Sequence, residues 1–228
     1  ADIFKIHNNF SYKESLNYNL ICLILFYNIA DKDIYKYLKN LQDKTYLGYD
    51  TPYISLNNLK ITTDKLVSLL DFDKIDRAFN LNNIKSILEI GAGSGRTSEA
   101  ILSIKNNISY VICDIPPAIY ISFKRLKLAY PDKAIEYLVD IQNKDQLNKK
   151  IKKNDISFIY PHQMELISKD AFDLTIAIDC FHEMDKKTIA HYFKNINNFS
   201  KNFYFSIWGN SKGNYTKTLF KKTERLNY

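Results

Sequence analysis

The stretch ILEIGAGSGRTSEAIL (residues 87–102) determines how this chain can fold. It begins with an apolar run of strand length, continues with three glycines at alternate positions, and ends with a helical pattern. Gly91, Gly93 and Gly95 are half of the six glycines in the chain. Glycine permits a tight turn and lets the backbone approach a ligand, whereas a plain connection would need only one. The stretch therefore predicts a strand–turn–helix unit that holds a ligand at its turn.

Short apolar strands alternate with helices along the rest of the chain. The predicted strands are KSILEI, SYVICDI, ISFIYP, FDLTIAID and NFYFSIW, with a lysine-rich linker before the third and little chain after the fifth. Apolar strands that alternate with helices indicate a parallel sheet covered on both faces. The sequence predicts an α/β fold with a doubly wound, mostly parallel sheet in residues 81–228, whose C-terminal strands are abbreviated. Residues 1–80 are predicted to form a helical N-terminal extension.

Composition limits the class of protein. Hydrophobic residues make up 46% of the 228 positions, which excludes a disordered chain, and the net charge of +7 suits an anionic partner. Three scattered cysteines predict reduced, buried thiols and a cytoplasmic location. The apolar run LICLILFY (residues 20–27) is too short to span a bilayer, so it predicts a buried helix and no membrane insertion.

The glycine spacing separates two classes of nucleotide site. A dinucleotide fingerprint GxGxxG would need glycine where this chain has Arg96, which disfavours a nicotinamide-dependent dehydrogenase. The spacing E-x-G-x-G-x-G, with Glu89 leading, resembles the first motif of class I S-adenosylmethionine (SAM) methyltransferases. That resemblance implies contacts to the cofactor from the motif residues Glu89, Gly91, Ala92, Gly93 and Gly95.

Three later strand ends supply further candidate residues. Asp114 ends the second strand, where a carboxylate can accept hydrogen bonds from both ribose hydroxyls. Ile115, the next residue, is also predicted to contact the cofactor. Gln163, after the third strand, is a candidate for contact with adenine. Asp179 ends the fourth strand, at the position that faces the transferred methyl group in this type of fold.

Nucleic acid is disfavoured as a substrate. The fourth strand is followed by CFHEMD and lacks the (D/N)-P-P-aromatic motif of amino-methylating enzymes. DIPP follows the second strand and cannot take that role, and Cys180 lacks the preceding proline of cytosine-C5 enzymes.

A narrower resemblance covers residues 45–209. The segments LGYDTPYI, ITTDKL, ILEIGAGSGR, YVICDIPPAIYIS, ISFIYPHQMELI and FDLTIAIDCFHEM together resemble the sugar O-methyltransferase family. The resemblance implies a Rossmann-like class I methyltransferase fold, SAM as methyl donor, a sugar hydroxyl as acceptor, and an N-terminal region on the acceptor side. His182 stands where the family often has Gln, and LGYDTPY departs from its commoner Gly-Asn-Pro form.

A sugar hydroxyl needs a base to take its proton. His182 is the leading candidate because its ordinary pKa lies near neutrality. Asp179 and Glu183 are alternatives, as the base or as ligands of a divalent ion, although no metal site is assigned. Tyr53, His182 and Trp208 are candidate acceptor contacts, and Tyr49 could join Tyr53 in a lid.

The basic balance fits a nucleotide-activated sugar, whose phosphates could bind the lysines of residues 148–153. Alternatives are a phenolic or other small hydroxyl acceptor, or a non-catalytic binding subunit with a SAM fold. A homo-oligomer is compatible with each of these functions.

Overall fold

The computed structural model describes residues 11–30, 32–41 and 53–207, except the side chain of Lys32. Its helices and strands in chain order are α1 (Tyr12–Ile29), a 3-10 helix (Lys32–Asn40), β1 (Ile54–Leu56), β2 (Leu59–Ile61), α2 (Thr63–Phe79), a 3-10 turn (Leu81–Asn83), β3 (Ser86–Ile90), α3 (Arg96–Ile104), β4 (Ser109–Cys113), α4 (Ala118–Ala129), β5 (Ile135–Tyr137), α5 (Lys144–Lys153), β6 (Ile156–Ile159), a 3-10 helix (Pro161–Leu166), β7 (Leu174–Ile178), a 3-10 turn (Phe181–Glu183), α6 (Lys186–Phe199) and β8 (Phe203–Ser206).

Six strands form one parallel sheet in the order β5–β6–β4–β3–β7–β8. The chain leaves β3 toward β4 and β6 on one side, and later returns to β7 and β8 on the other. Strand order therefore reverses at β3, and ligands of such sheets bind outside the carboxyl ends of the strands at this point. The predicted doubly wound, mostly parallel fold is confirmed.

The central strands are buried and mostly apolar because both faces of the sheet are covered. Ile87, Ile112 and Ile176 pack in one buried cluster, and Leu88 and Val111 pack in another on the opposite face. The first cluster also contains buried side chains of α1, the 3-10 helix and α2, so the N-terminal helices share their core with the sheet.

The N-terminal helical segment is confirmed, with one addition. Strands β1 and β2 form a small antiparallel hairpin between the helices. Asn80 adopts a left-handed conformation that ends α2. The division of the chain into two regions at residue 80 stays a prediction.

Two local predictions were wrong. The lysine-rich linker is helix α5, capped by the side chain of Asn143, because lysine is a good helix former. The run in residues 20–27 is helical but not buried: only Leu23 and Phe26 are in the core, and residues such as Ile21 and Ile24 are more than half exposed. The helix is apolar around much of its circumference, while only one face packs against the other residues that the structure describes.

Candidate active site

The turn after β3 is held by the strands on either side of it. The amide of Gly91 donates to the carbonyl oxygen of Cys113 at 2.9 Å, which ties the turn to β4. Gly91 has a φ of +68°, and a Cβ added there would lie 2.5 Å from the Cβ of Cys180, beyond β7. No side chain fits at this point, because the loops after β3 and β7 meet at the switch point of the sheet.

Gly93 lies at the open tip of the same turn. Its φ is +57°, yet an added Cβ would meet nothing within 4 Å. Its amide donates to Oδ2 of Asp114 at 2.8 Å, and the amide of Ile115 donates to Oδ1 at 2.7 Å. The structure thus brings together the turn and the carboxylate that the sequence assigned to one cofactor, beside an open space.

Asp114 keeps the capacity to bind a ligand. Its carboxylate is mostly buried, and burial raises its pKa above the ordinary range against the lowering effect of the two amides. A carboxylate offers about four acceptor positions, and the two amides use two of them. Two positions therefore remain, the number that a pair of ribose hydroxyls would use.

Glu89 lies two residues before the glycine turn. It is 2% exposed and accepts a hydrogen bond from the hydroxyl of Tyr110 at 2.9 Å. Burial raises its pKa to about 7, although Tyr110 and the charge of Arg96 act in the opposite direction. The predicted contact of Glu89 with a cofactor stays a prediction.

Arg96, which the sequence marked only as a departure from a dinucleotide motif, connects two regions. Its Nη1 lies 2.9 Å from Oδ2 of Asp71 and 3.4 Å from Oγ of Ser68, both on α2. Burial raises the pKa of Asp71, and the nearby guanidinium of Arg96 lowers it. The N-terminal region is therefore fastened to the first residue of α3, immediately after the glycine turn. Local sequence gave no signal for this pair, because its partners are 25 residues apart.

The segment after β7 approaches the same edge of the sheet. Asp179 has a φ of +53°, an unusual conformation for a residue with a side chain, and its amide donates to the carbonyl of Ser206 at 2.9 Å. The thiol of Cys180 donates to the carbonyl of Ile90 at 3.3 Å. Burial raises the pKa of this thiol to about 12, so it stays protonated at neutral pH.

The 3-10 turn Phe181–Glu183 is anchored from below by aromatic packing. Phe181 is fully buried and contacts the rings of Tyr192, Phe193, Phe203 and Phe205. The side chain of His182 is 14% exposed and that of Glu183 is 74% exposed, with 3.8 Å between Nε2 and Oε1. The turn thus presents an imidazole beside a solvated carboxylate, a pair able to accept a proton and release it to water.

The side chain of Gln163 connects two backbone segments. Its Oε1 accepts from the amide of Tyr160 at 2.7 Å and its Nε2 donates to the carbonyl of Leu138 at 2.8 Å. One further N–H of this buried amide is what remains for an adenine contact, which stays a prediction. Ile115, beside Asp114, is 60% exposed, and its predicted contact with the cofactor stays a prediction.

The other residues that the sequence predicted to contact the acceptor or its phosphates lie elsewhere in the chain. Tyr53 is exposed and its ring lies 4.8 Å from Nζ of Lys60, next to β1. Trp208 and Tyr49 lie outside the described residues. The lysine run belongs to α5, whose last residues lead into the start of β6, at the opposite edge of the sheet from Asp114. Lys150 in that run pairs with Glu136.

Two kinds of feature are absent from the described residues. Within residues 11–30, 32–41 and 53–207, no three His, Cys, Asp or Glu side chains are grouped to hold a metal ion. In the same part of the chain, no helix has both the length and the apolarity needed to cross a membrane.

No model of a known protein family matches this chain, and no curated protein sequence is significantly similar to it. Similar solved structures include a Staphylococcus aureus protein assigned as a caffeoyl-CoA O-methyltransferase, with 21% identity and a TM-score of 0.37 over 58% of this chain and 53% of that one. The plantazolicin methyltransferase BpumL with SAH has 17% identity and a TM-score of 0.40, over 61% and 46%. Human N-acetylserotonin methyltransferase with SAM has 16% identity and a TM-score of 0.35, over 58% and 31%. This chain therefore aligns with about half, or less, of each of these proteins.

Proposed function

We propose that this chain is a SAM-dependent O-methyltransferase that acts on a sugar hydroxyl. The observation that carries the proposal is the bond from the Gly93 amide to Asp114 at the switch point of the sheet. It places an open glycine turn and a carboxylate with spare acceptor capacity side by side. The turn suits the amino-acid part of SAM, Asp114 suits its ribose, and the exposed Ile115 suits one face of adenine.

A nicotinamide cofactor fits this site less well. In a dinucleotide site the third glycine allows the helix after the turn to pack closely and its N-terminus to hold a pyrophosphate. Here that position is Arg96, whose guanidinium is turned to Asp71 and Ser68 on α2. The first residue of α3 is thus committed to the N-terminal region of the same chain.

In the proposed reaction, the residues of this chain align the acceptor and accept its proton. SAM supplies a methyl group on a positively charged sulfur, which leaves as a neutral thioether. His182 takes the hydroxyl proton as the bond from oxygen to the methyl carbon forms, because an unassisted alcohol is a weak nucleophile. Glu183, 3.8 Å from the imidazole, stabilises the resulting imidazolium. The N-terminal region is proposed to close the acceptor side and to exclude water.

The sugar as acceptor is supported by the resemblance of residues 45–209 and by the basic balance of the chain. The lysine run of α5 does not add to this support, because the end of α5 lies at the opposite edge of the sheet from Asp114. Assays with labelled SAM should compare nucleotide-activated sugars, free sugars and phenols. Transfer to phenols but to neither class of sugar would replace the acceptor while keeping the reaction.

The cofactor assignment predicts a specific coupling between Asp114 and the ribose. Calorimetry should show binding of SAH and none of NAD. The 2′-deoxy analogue of SAH should bind about 10- to 100-fold more weakly to the wild type, the usual loss for a hydrogen bond to a charged group. Asp114→Asn should bind both ligands weakly and with nearly equal affinity, since the partner of the hydroxyl has lost its charge.

Two results would contradict this assignment. Absence of SAH binding to the wild type would remove the proposed function altogether. Equal affinity of the wild type for SAH and the 2′-deoxy analogue would leave the methyl donor in place but separate Asp114 from the ribose. Lys149→Gln, an exposed position on α5, serves as the control and should bind both ligands as the wild type does.

A further inference from the structure

Helix α1 is fixed to the rest of the chain through one face. Leu23 and Phe26 are buried in the shared core. Asn19 is buried as well, and its Oδ1 accepts from the amide of Thr63 at 2.9 Å and from its hydroxyl at 2.6 Å. Because this side chain caps the start of α2, the rotation of α1 about its axis is fixed. The opposite face is therefore held outward.

That outer face is apolar and uncharged. Six large side chains between 41% and 56% exposed form it: Tyr18, Leu20, Ile21, Ile24, Leu25 and Tyr27. Asn17 and Asn28 bound it at either end, and residues 15–29 contain no charged side chain. A helix that is apolar on all sides is normally buried on all sides, so the exposed area of this face is a candidate contact surface.

The exposed residues of α1 also follow an inverted order. Read forward from Asn17, the exposed positions are Asn, Tyr, Leu and Ile; read backward from Asn28, they are again Asn, Tyr, Leu and Ile. The four positions that break the symmetry, 19, 22, 23 and 26, are the ones turned wholly or partly toward the core. The symmetry is therefore a property of the outer face alone.

We propose that α1 is a homodimerisation helix, through which two copies of this chain pair antiparallel about a twofold axis between Cys22 and Leu23. A twofold interface uses the same surface of both copies. In this register Asn17 lies level with Asn28 of the second copy, and Ile21 lies level with Ile24. Every exposed residue from Asn17 to Asn28 is then level with its own kind, and the two asparagine pairs at the ends favour this register over shifted ones.

The available area is sufficient for a specific dimer. Six side chains, each about half exposed, offer roughly 100 Å² apiece, or roughly 600 Å² per copy before the asparagines are added. Specific interfaces bury about 600 to 1,000 Å² per partner, so this face reaches the lower end of that range. A membrane surface fits this helix less well, because helices that lie on membranes carry Lys or Arg on the polar face, and residues 15–29 have neither.

Sedimentation velocity and light scattering of the full chain at micromolar concentration test the proposal. The wild type should have twice the mass of one chain. Ile21→Lys and Ile24→Lys should each raise the dimer dissociation constant at least about 100-fold, because a charge would have to be buried without a partner. Leu128→Lys, on an equally exposed leucine of α4, is the matched control and should remain dimeric. Circular dichroism should show unchanged helix content, since all three positions are exposed.

Cross-linking tests the orientation. In a Cys22→Ala background, a mixture of Asn17→Cys and Asn28→Cys chains should cross-link with a short bis-maleimide, while each variant alone should not. A monomeric wild type overturns the proposal, and so does a monomer that binds vesicles of phosphatidylcholine and phosphatidylglycerol. A dimer unaffected by both lysine substitutions, or cross-linking of each cysteine variant with itself, overturns it as well. None of these outcomes depends on whether the chain transfers methyl groups.

Discussion

Two turns meet at the carboxyl edge of the sheet, and they are stabilised in different ways. The glycine turn after β3 (residues 91–95) is held by backbone hydrogen bonds to β4 and Asp114, and it has no room for a side chain where it touches Cys180. The turn after β7 (residues 179–184), named the acceptor turn after the proposed function, is held by hydrogen bonds from the Asp179 amide and the Cys180 thiol and by the buried ring of Phe181. The side chain of Glu183 is exposed, while that of His182 is mostly buried. We infer that the first turn specifies a cofactor through its backbone and the second determines the chemistry through replaceable side chains.

The largest expected effect is a loss of turnover from a substitution in the acceptor turn that leaves the glycine turn unchanged. His182→Ala should lower kcat about 100- to 10,000-fold, the range for loss of a general base. The affinity for SAH should change less than about threefold, since the glycine turn and Asp114 are untouched. Rapid-quench assays and calorimetry on the same preparation measure the two quantities.

Glu183→Gln is the matched control for this substitution, because its side chain is mostly exposed and loses only its charge. It should reduce kcat far less than His182→Ala does. Equal losses of turnover and SAH affinity in His182→Ala would show that the imidazole supports the structure of the site and takes no part in the chemistry.

The next effect is a difference in stability between substitutions at two positions of the glycine turn. Gly91→Ala should lower the free energy of unfolding by about 2 to 5 kcal/mol, because a left-handed backbone and a clash with Cys180 act together. Gly93→Ala meets no neighbouring atom, so it should cost only about 1 to 2 kcal/mol, from the backbone alone. Urea unfolding curves measure both values.

Gly93→Ala should affect SAH binding more than it affects stability. The methyl group that alanine adds projects into the open space beside Asp114, so the loss in SAH binding free energy should exceed the loss in the free energy of unfolding. For Gly91, the relevant contact is the one with Cys180. In a double variant, Cys180→Gly should restore space for the alanine side chain and recover part of the stability lost in Gly91→Ala. Equal destabilisation by the two alanine substitutions would mean that the contact with Cys180 does not constrain the turn.

A further effect concerns the buried carboxylate of Glu89, two residues before the glycine turn. Burial raises the pKa of Glu89 to about 7, so the folded protein retains a proton that the unfolded chain releases near pH 4.5. Stability should therefore fall as the pH rises from about 4.5 to 7, by up to about 3 kcal/mol, and stay lower above that range. Glu89→Gln should remove this part of the pH dependence, and the exposed Glu183→Gln should not. Identical slopes for wild type and Glu89→Gln would contradict a buried, protonated Glu89.

Much of the glycine turn could be predicted because its determinants are local. The spacing of Gly91, Gly93 and Gly95 after an apolar strand predicted the turn, and the place of Asp114 at the end of the next strand predicted that the two would meet. The acceptor turn was less accessible. The sequence named His182 and Glu183 as candidates, but gave no sign that Phe181 anchors them or that Asp179 adopts a left-handed backbone.

The sequence by itself determined the parallel sheet, the helical N-terminal region and the glycine turn, because strand burial, helical periodicity and glycine conformation are properties of neighbouring residues. Only the tertiary structure decided that Arg96 joins Asp71, that Gln163 bridges two backbone segments, and that most of the apolar residues in α1 face outward. Those outcomes depend on which surfaces meet. Apolar residues on two faces of a helix indicate that both faces pack against something. They do not indicate whether the second face packs within the same chain or against another molecule.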